Sequence, residues 1–206
     1  MLFTSVKEIM SRFFLASICS CCLVTLSFAQ SECGTSSGGS VSQGSYVNER
    51  IGLSYHIPGW LDPGDPRSYP KDPKGRPTAI LLALWKTPRE QDKPVLIIMS
   101  DDPFQYRDSS ALAYVRRIAN TVAQQHAKIV QNGRQYQLSG FTFYRVDYEF
   151  PETSPKNLNV ALTGRVGRCE LSFELNASTQ DEIDKVFRSI LETTSIKPPP
   201  QQGSSH

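Results

Sequence analysis

Histidine is scarce in this chain, with three in 206 residues, and each sits where catalysis has little use for it. Nucleophilic catalysis needs a base beside the nucleophile. His56 falls between Tyr55 and Ile57, which point inward on a strand, so its ring faces solvent. His126 stands at a helix end, where a cation is favoured, and His206 lies in the tail. The high-information motifs are also missing: there is no Gly-x-Ser-x-Gly, P-loop, dinucleotide fingerprint, His-Glu-x-x-His or Cys-x-x-Cys. Basic and acidic residues nearly balance at 22 and 20, which gives no electrostatic footprint for nucleic acid or another polyanion. After the first thirty residues nothing is apolar enough to span a membrane.

Cysteine is equally thin where a folded domain would use it. Cys19, Cys21 and Cys22 lie in the N-terminal apolar run, leaving Cys33 and Cys169, too few for a disulfide framework. Cys169 occupies the inward period of a strand, the place of a small buried hydrophobe. Cys33 lies in a flexible stretch, and a Cys33–Cys169 bridge is the lesser expectation.

The N-terminus reads as a secretory signal peptide over residues 1–29. Lys7 and Arg12 precede an uncharged run from Phe13 to Leu26, and Ser27, Phe28 and Ala29 form a small-x-small cleavage site before Gln30. The run is short for a spanning helix, which needs about 20 apolar residues. Ile18, Cys19 and Ser20 before Cys21 loosely match a lipobox, so a lipid-anchored form is the lesser alternative to a periplasmic or extracellular protein. Removal of the leader leaves 20 basic and 19 acidic residues.

Residues 30–45 are rich in Ser and Gly and offer no apolar surface to offset their ordering entropy, which predicts a flexible tether. Order is expected from Tyr46. Tyr46 and Val47 suggest a short strand, and Ile51, Leu53, Tyr55 and Ile57 a longer one with its odd-numbered residues inward, ending at Pro58. From Pro58 to Pro77 the chain carries six prolines and three glycines, a long irregular connection. Ala79 to Trp85 and Val95 to Met99 are nearly continuous apolar runs, as expected of strands covered on both faces. Asp108 or Ser109 is placed to cap a helix with Leu112, Val115, Ile118, Ala119 and Val122 as its buried stripe. Asn132-Gly133 reads as a hairpin turn.

From Phe141 to Ile196 the pattern is clearest. Tyr144, Val146, Tyr148 and Phe150 alternate with Arg145, Asp147 and Glu149, which predicts one buried and one wet strand face. Leu158, Val160 and Leu162, a turn over Gly164 to Gly167, and Cys169, Leu171, Phe173 and Leu175 form a hairpin. Ser178 and Thr179 then stand as caps, with Glu182 completing a capping box for a helix bearing Ile183, Val186, Phe187, Ile190 and Leu191. After Ile196 three prolines open a polar tail. Residues 46–196 thus form one domain of about 150 residues, enough to bury roughly 70% of its unfolded surface. Its class is α+β: an α/β/α sandwich with a mainly antiparallel sheet of six or seven strands and two main helices.

Three stretches carry a resemblance. Gly52 to Trp60 is a strand ending in Pro with Trp close behind, Phe143 to Tyr148 contains an aromatic Tyr-x-x-x-Tyr strand, and Gly167 to Ala177 is a last hairpin strand before a closing helix. In this layout the chain resembles the superfamily of the photosystem II extrinsic protein PsbP, its bacterial DcrB-like relatives and the Ran-binding nucleotide release factor. That resemblance implies a sandwich that binds other proteins and lacks catalytic machinery.

The candidate site follows from the long loop. Trp60, Leu61 and Tyr69 are apolar anchors on an irregular connection, the usual place of binding residues, unless Trp60 folds back over the sheet edge. Phe104, Tyr106 and Arg107 either line a groove or staple the start of the first helix. Asp101 and Asp102 with Asp108 read as turn caps rather than metal ligands, and Asn176-Ala177-Ser178 as helix capping rather than a glycosylation site. The expectation is an exported, non-enzymatic protein-binding or assembly module without metal or cofactor, whose partner is another protein. A carrier of a small apolar ligand, or an enzyme with an unrecognised site, are the alternatives.

Overall fold

The computed structural model describes residues 33, 39–65, 69, 78–88, 93–103, 110–151 and 157–197. The chain divides into two units, Met1–Gln30 and Ser31–His206, and all described residues belong to the second. The leader, most of the tether and of the proline-rich loop, Phe104, Tyr106, Arg107, Asp108 and the tail after residue 197 lie outside them.

Alternating hydrophobicity sets the strands. In chain order the elements are β1 (Gly39–Ser42), β2 (Ser45–Asn48), β3 (Leu53–His56), β4 (Leu61–Asp62), β5 (Ala79–Lys86), β6 (Leu96–Asp101), α1 (Ala111–Gln124), β7 (Lys128–Leu138), β8 (Phe141–Phe150), β9 (Asn157–Val166), β10 (Cys169–Ala177), α2 (Gln180–Thr193) and β11 (Thr194–Ile196). They build a seven-stranded sheet in the order β4-β5-β6-β10-β9-β8-β7 and a four-stranded sheet in the order β1-β2-β3-β11. All recorded pairings are antiparallel.

The two helices take opposite faces of the large sheet. Val146 and its cross-strand partner Ala161 pack with Val115 and Ala119 of α1. Leu162, next to Ala161 and so pointing the other way, joins Phe143, Leu171, Phe173 and the α2 residues Ile183, Val186, Phe187 and Ile190. This second cluster also takes in Tyr46, Leu53, Tyr55 and Ile196 of the small sheet. Each fully buried Leu or Phe in it contributes roughly 1.5–3 kcal/mol.

Several local expectations are corrected. The strand β8 has no wet face: Arg145 and Glu149 are buried along with Val146, because α1 covers one side and α2 reaches over the other. Arg145 is accommodated there by a two-pronged pair with Asp147, at 2.6 Å and 2.7 Å, while its guanidinium lies 4.4 Å from the Phe187 ring centroid. Asn132-Gly133 is not a turn but a register shift inside β7. The hairpin turns instead at Ser139 and Gly140, whose φ values of 52° and 83° are both positive, as a two-residue turn matched to strand twist requires. The cap of α1 is Ser110, which accepts from the Ala113 amide, not Asp108 or Ser109. Asp101 caps no turn; it is buried in β6 and accepts the Tyr114 hydroxyl.

Regular structure also begins earlier than Tyr46. The strand β1 is exposed along its length and has no apolar period; backbone pairing to β2 holds it. Ahead of it, Cys33 and Cys169 are joined in a disulfide with their Cα atoms 5.2 Å apart. Ser100 donates to the Cys33 carbonyl, so the N-terminal segment is fixed across the ends of β6 and β10. The pairing went against expectation because Cys169 does lie on the inward face of β10, but at its end, where Cys33 can reach it.

Candidate functional site

The segment after β3 is shaped by Pro58. Leu61 donates to the Pro58 carbonyl at 2.8 Å, closing a turn, and Thr87 donates to the Trp60 carbonyl at 3.0 Å. The turn sends Leu61 into the core, where it is 5% exposed, so Leu61 offers nothing to a partner. Trp60 stays partly exposed, packed on the edge of the main core cluster. The Lys185 ammonium stands 4.1 Å from its ring centroid, a cation–π contact.

His56, Pro58 and Trp60 form one wall of a 300 Å³ groove. Along the other wall, Lys185, Arg188, Ser189, Glu192 and Thr193 of α2 fall at the three- and four-residue spacing of a single helix face. The groove is held in shape from below. Thr193 Oγ1 donates to the His56 carbonyl at 3.0 Å, and the Tyr55 hydroxyl meets Ser189 Oγ at 3.1 Å. His56 is exposed, as its place on β3 predicts, with Nδ1 3.2 Å from Ser45 Oγ. Lys185 and Arg188 against the one carboxylate of Glu192 make the groove positive.

Tyr69 is not part of this groove. Its ring centroid is 6.1 Å from that of Trp85, and burial raises its hydroxyl above the ordinary tyrosine pKa, against a hydrogen bond with the Ala83 backbone that pulls the other way. Trp85 alternates with Lys86, whose ammonium pairs with Glu182 of α2, so Trp85 points to the side away from α2. Trp60 and Tyr69 therefore lie on opposite sides of the sheet edge.

A second site was not legible in the sequence. On the α1 face of the large sheet, Val146, Ala161, Glu174 and Ile97 form one cross-strand row, and Tyr148, Asn159 and Asn176 the next. Tyr148, Asn159, Asn176, Glu174, Ile97 and Lys93 line a 230 Å³ pocket there. Burial, and then the neighbouring Asp101 carboxylate, raise the Glu174 pKa to about 7. Burial and the Glu174 charge likewise push Tyr148 up. In sequence Glu174 looks like one more polar residue on the outer period of a strand; only the placement of the strand between β6 and β9 leaves it half-buried.

Among the described residues no group of three or more His, Cys, Asp or Glu side chains is placed to hold a metal ion, and no helix is long and apolar enough to cross a membrane. Asn176 of the sequon donates from Nδ2 to Asn159 Oδ1 at 2.9 Å, while Ser178 donates from both its amide and its hydroxyl to Glu182.

Comparison with known proteins places the fold. No family profile matches the sequence, and no curated protein matches it. The architecture is similar to that of cyanobacterial PsbP (CyanoP) from Synechocystis sp. PCC 6803, with a TM-score of 0.53 and 16% identity over 77% of this chain and 96% of that one. LpqN, involved in cell envelope biogenesis of Mycobacterium tuberculosis, aligns with a TM-score of 0.42 and 16% identity over 71% of this chain and 83% of its own. The fold is PsbP-like: a seven-stranded antiparallel sheet with a helix on each face and a second small sheet.

Proposed function

We propose that the protein is an exported, non-enzymatic module that binds another protein through the Trp60 groove. One observation carries the reading: a partly exposed tryptophan is held rigidly by backbone bonds and flanked by Lys185 and Arg188 on one helix face. Tryptophan and arginine are the side chains that most often anchor interfaces. The positive rim favours a partner segment that lays an apolar side chain on Trp60 with a carboxylate beside it. The PsbP-like resemblance supports the same habit. Export is supported by the leader pattern and by the Cys33–Cys169 bond, since disulfides persist in oxidising compartments. No cofactor enters the reading. The described cavities do not favour an apolar carrier, because each is lined by charged side chains.

The test is capture of the partner by the tagged mature chain from the exported fraction of its host, comparing Trp60→Ala and Arg188→Glu with the parent. Both variants are expected to lose the captured protein while keeping the parent's circular dichroism. Tyr69→Ala is expected to lower stability and leave capture intact. Undiminished capture by Trp60→Ala would place the binding surface elsewhere.

A further inference from the structure

The Glu174 pocket lies on the sheet face away from the Trp60 groove, and behind the Lys93 at its mouth its wall offers acceptors. Glu174 sits in register between Ala161 and Ile97, apolar neighbours that give its carboxylate no hydrogen bond among the described residues. Asn176 spends its amide nitrogen on Asn159, which leaves its Oδ1 as an acceptor. Tyr148 supplies an aromatic wall. All three offer negative or acceptor character, and Asp101, with its Oδ1 buried and unpartnered, adds to the negative potential behind them. A volume of 230 Å³ is below the roughly 300–1,000 Å³ of sites for drug-sized ligands, so the occupant is slender.

We infer that this pocket binds a primary alkylammonium group, with the carboxylate of Glu174 as counter-ion, Asn176 Oδ1 as second acceptor, and Tyr148 and Ile97 against the alkyl stem. An ammonium brings three donors and no acceptor, which matches a wall of acceptors. A carboxylate or phosphate ligand would meet Glu174 and Asp101 head on. The group is either the side chain of a lysine on a protein or a free small amine.

Binding is linked to pH, because a protonated Glu174 is no counter-ion. The charged and titratable groups around it are Asp101 from β6, Tyr148 from β8, Tyr114 and Arg117 from α1, and Lys93 at the mouth. Lys93 opposes a second cation, so its removal tightens binding.

The experiment is an amide and carboxyl NMR titration of the mature chain with n-butylammonium, with N-acetyl-lysine methylamide and with n-butanol. The expected result is saturable shifts at Ile97, Tyr148, Glu174 and Asn176 with the first probe. Affinity should rise from acid toward neutral pH, and Glu174→Gln should weaken it at least about tenfold. Binding of the capped lysine as well assigns the pocket to a protein side chain; binding of the free amine alone assigns it to a small amine. Equal binding by Glu174→Gln, equal binding of n-butanol, or no localised shift with either amine overturns the inference. Glu174→Gln keeps the shape of the pocket and removes only the charge, so its folding is not at stake.

Discussion

Cys33 and Cys169 are bonded across 136 residues of sequence, which ties the N-terminal segment to the first residue of β10. Closing so long a loop removes much of the freedom of the unfolded chain. The loop-entropy relation gives about 4–5 kcal/mol for such a span. Cys33→Ser with Cys169→Ser is expected to lose that order of stability in urea unfolding, and reduction of the parent should bring it to the same midpoint. If reduction leaves the midpoint unchanged, the bond is not a structural staple.

Phe143 lies directly over Gly164, its cross-strand partner. A Cβ added at Gly164 would come within 2.7 Å of the ring, and the ring has nowhere to go because it also packs on Phe173 at 6.0 Å. Gly164→Ala should cost about 1–3 kcal/mol by overpacking. Combining it with Phe143→Leu should cost less than the two single changes added together, a coupling that a double-mutant cycle reads directly.

Glu174 makes stability depend on pH in a defined direction. Its folded pKa of about 7 lies above the ordinary carboxyl value of 4.5, so between these limits the folded state holds more protons than the unfolded one. Stability is therefore fullest below the lower value, declines as pH rises through about 7, and then levels. Glu174→Gln removes the penalty. With allowance for its partial exposure, the variant should be more stable than the parent by on the order of 2 kcal/mol near pH 8 and about equal near pH 4. Urea midpoints at the two pH values decide it; an unchanged difference across the range contradicts it.

Thr179 caps α2, accepting from the Glu182 amide at 3.3 Å, while the Glu182 carboxylate reaches back to the Ser178 amide and also pairs with Lys86. Thr179→Ala is expected to cost about 1 kcal/mol. Lys86→Met, which removes only a partly exposed ion pair, should cost less than about 1 kcal/mol. Thermal melts of the two variants should rank them in that order.

The hairpin from Asn157 to Ala177 and the helix after it were legible because their inward residues repeat at periods of two and 3.6, and because Thr179 and Glu182 spell a cap. The inward set of Leu53 and Tyr55 was legible for the same reason. Strand β1 was not, since Gly39 to Ser42 are held by backbone bonds and have no side-chain period to read. The turn was sought at Asn132-Gly133, where local chemistry favours it, whereas strand length and register placed it at Ser139-Gly140. Arg145 and Glu149 were read as wet because a charge on the outer period of a strand usually is. Their burial depends on which elements cover them, information that lies more than ten residues away in sequence. At the candidate groove, Trp60 was visible from the sequence, but Lys185 and Arg188 were not, because only folding brings α2 beside β3.

The most direct test of the interaction reading is site-specific photocrosslinking in the native host, with a benzophenone amino acid placed at Glu192 on the groove wall and, as control, at Val130, which is 59% exposed on β7. One discrete protein adduct is expected from position 192, absent from position 130 and abolished by Trp60→Ala. The same adducts from both positions, or an adduct at 192 that survives Trp60→Ala, would contradict the reading.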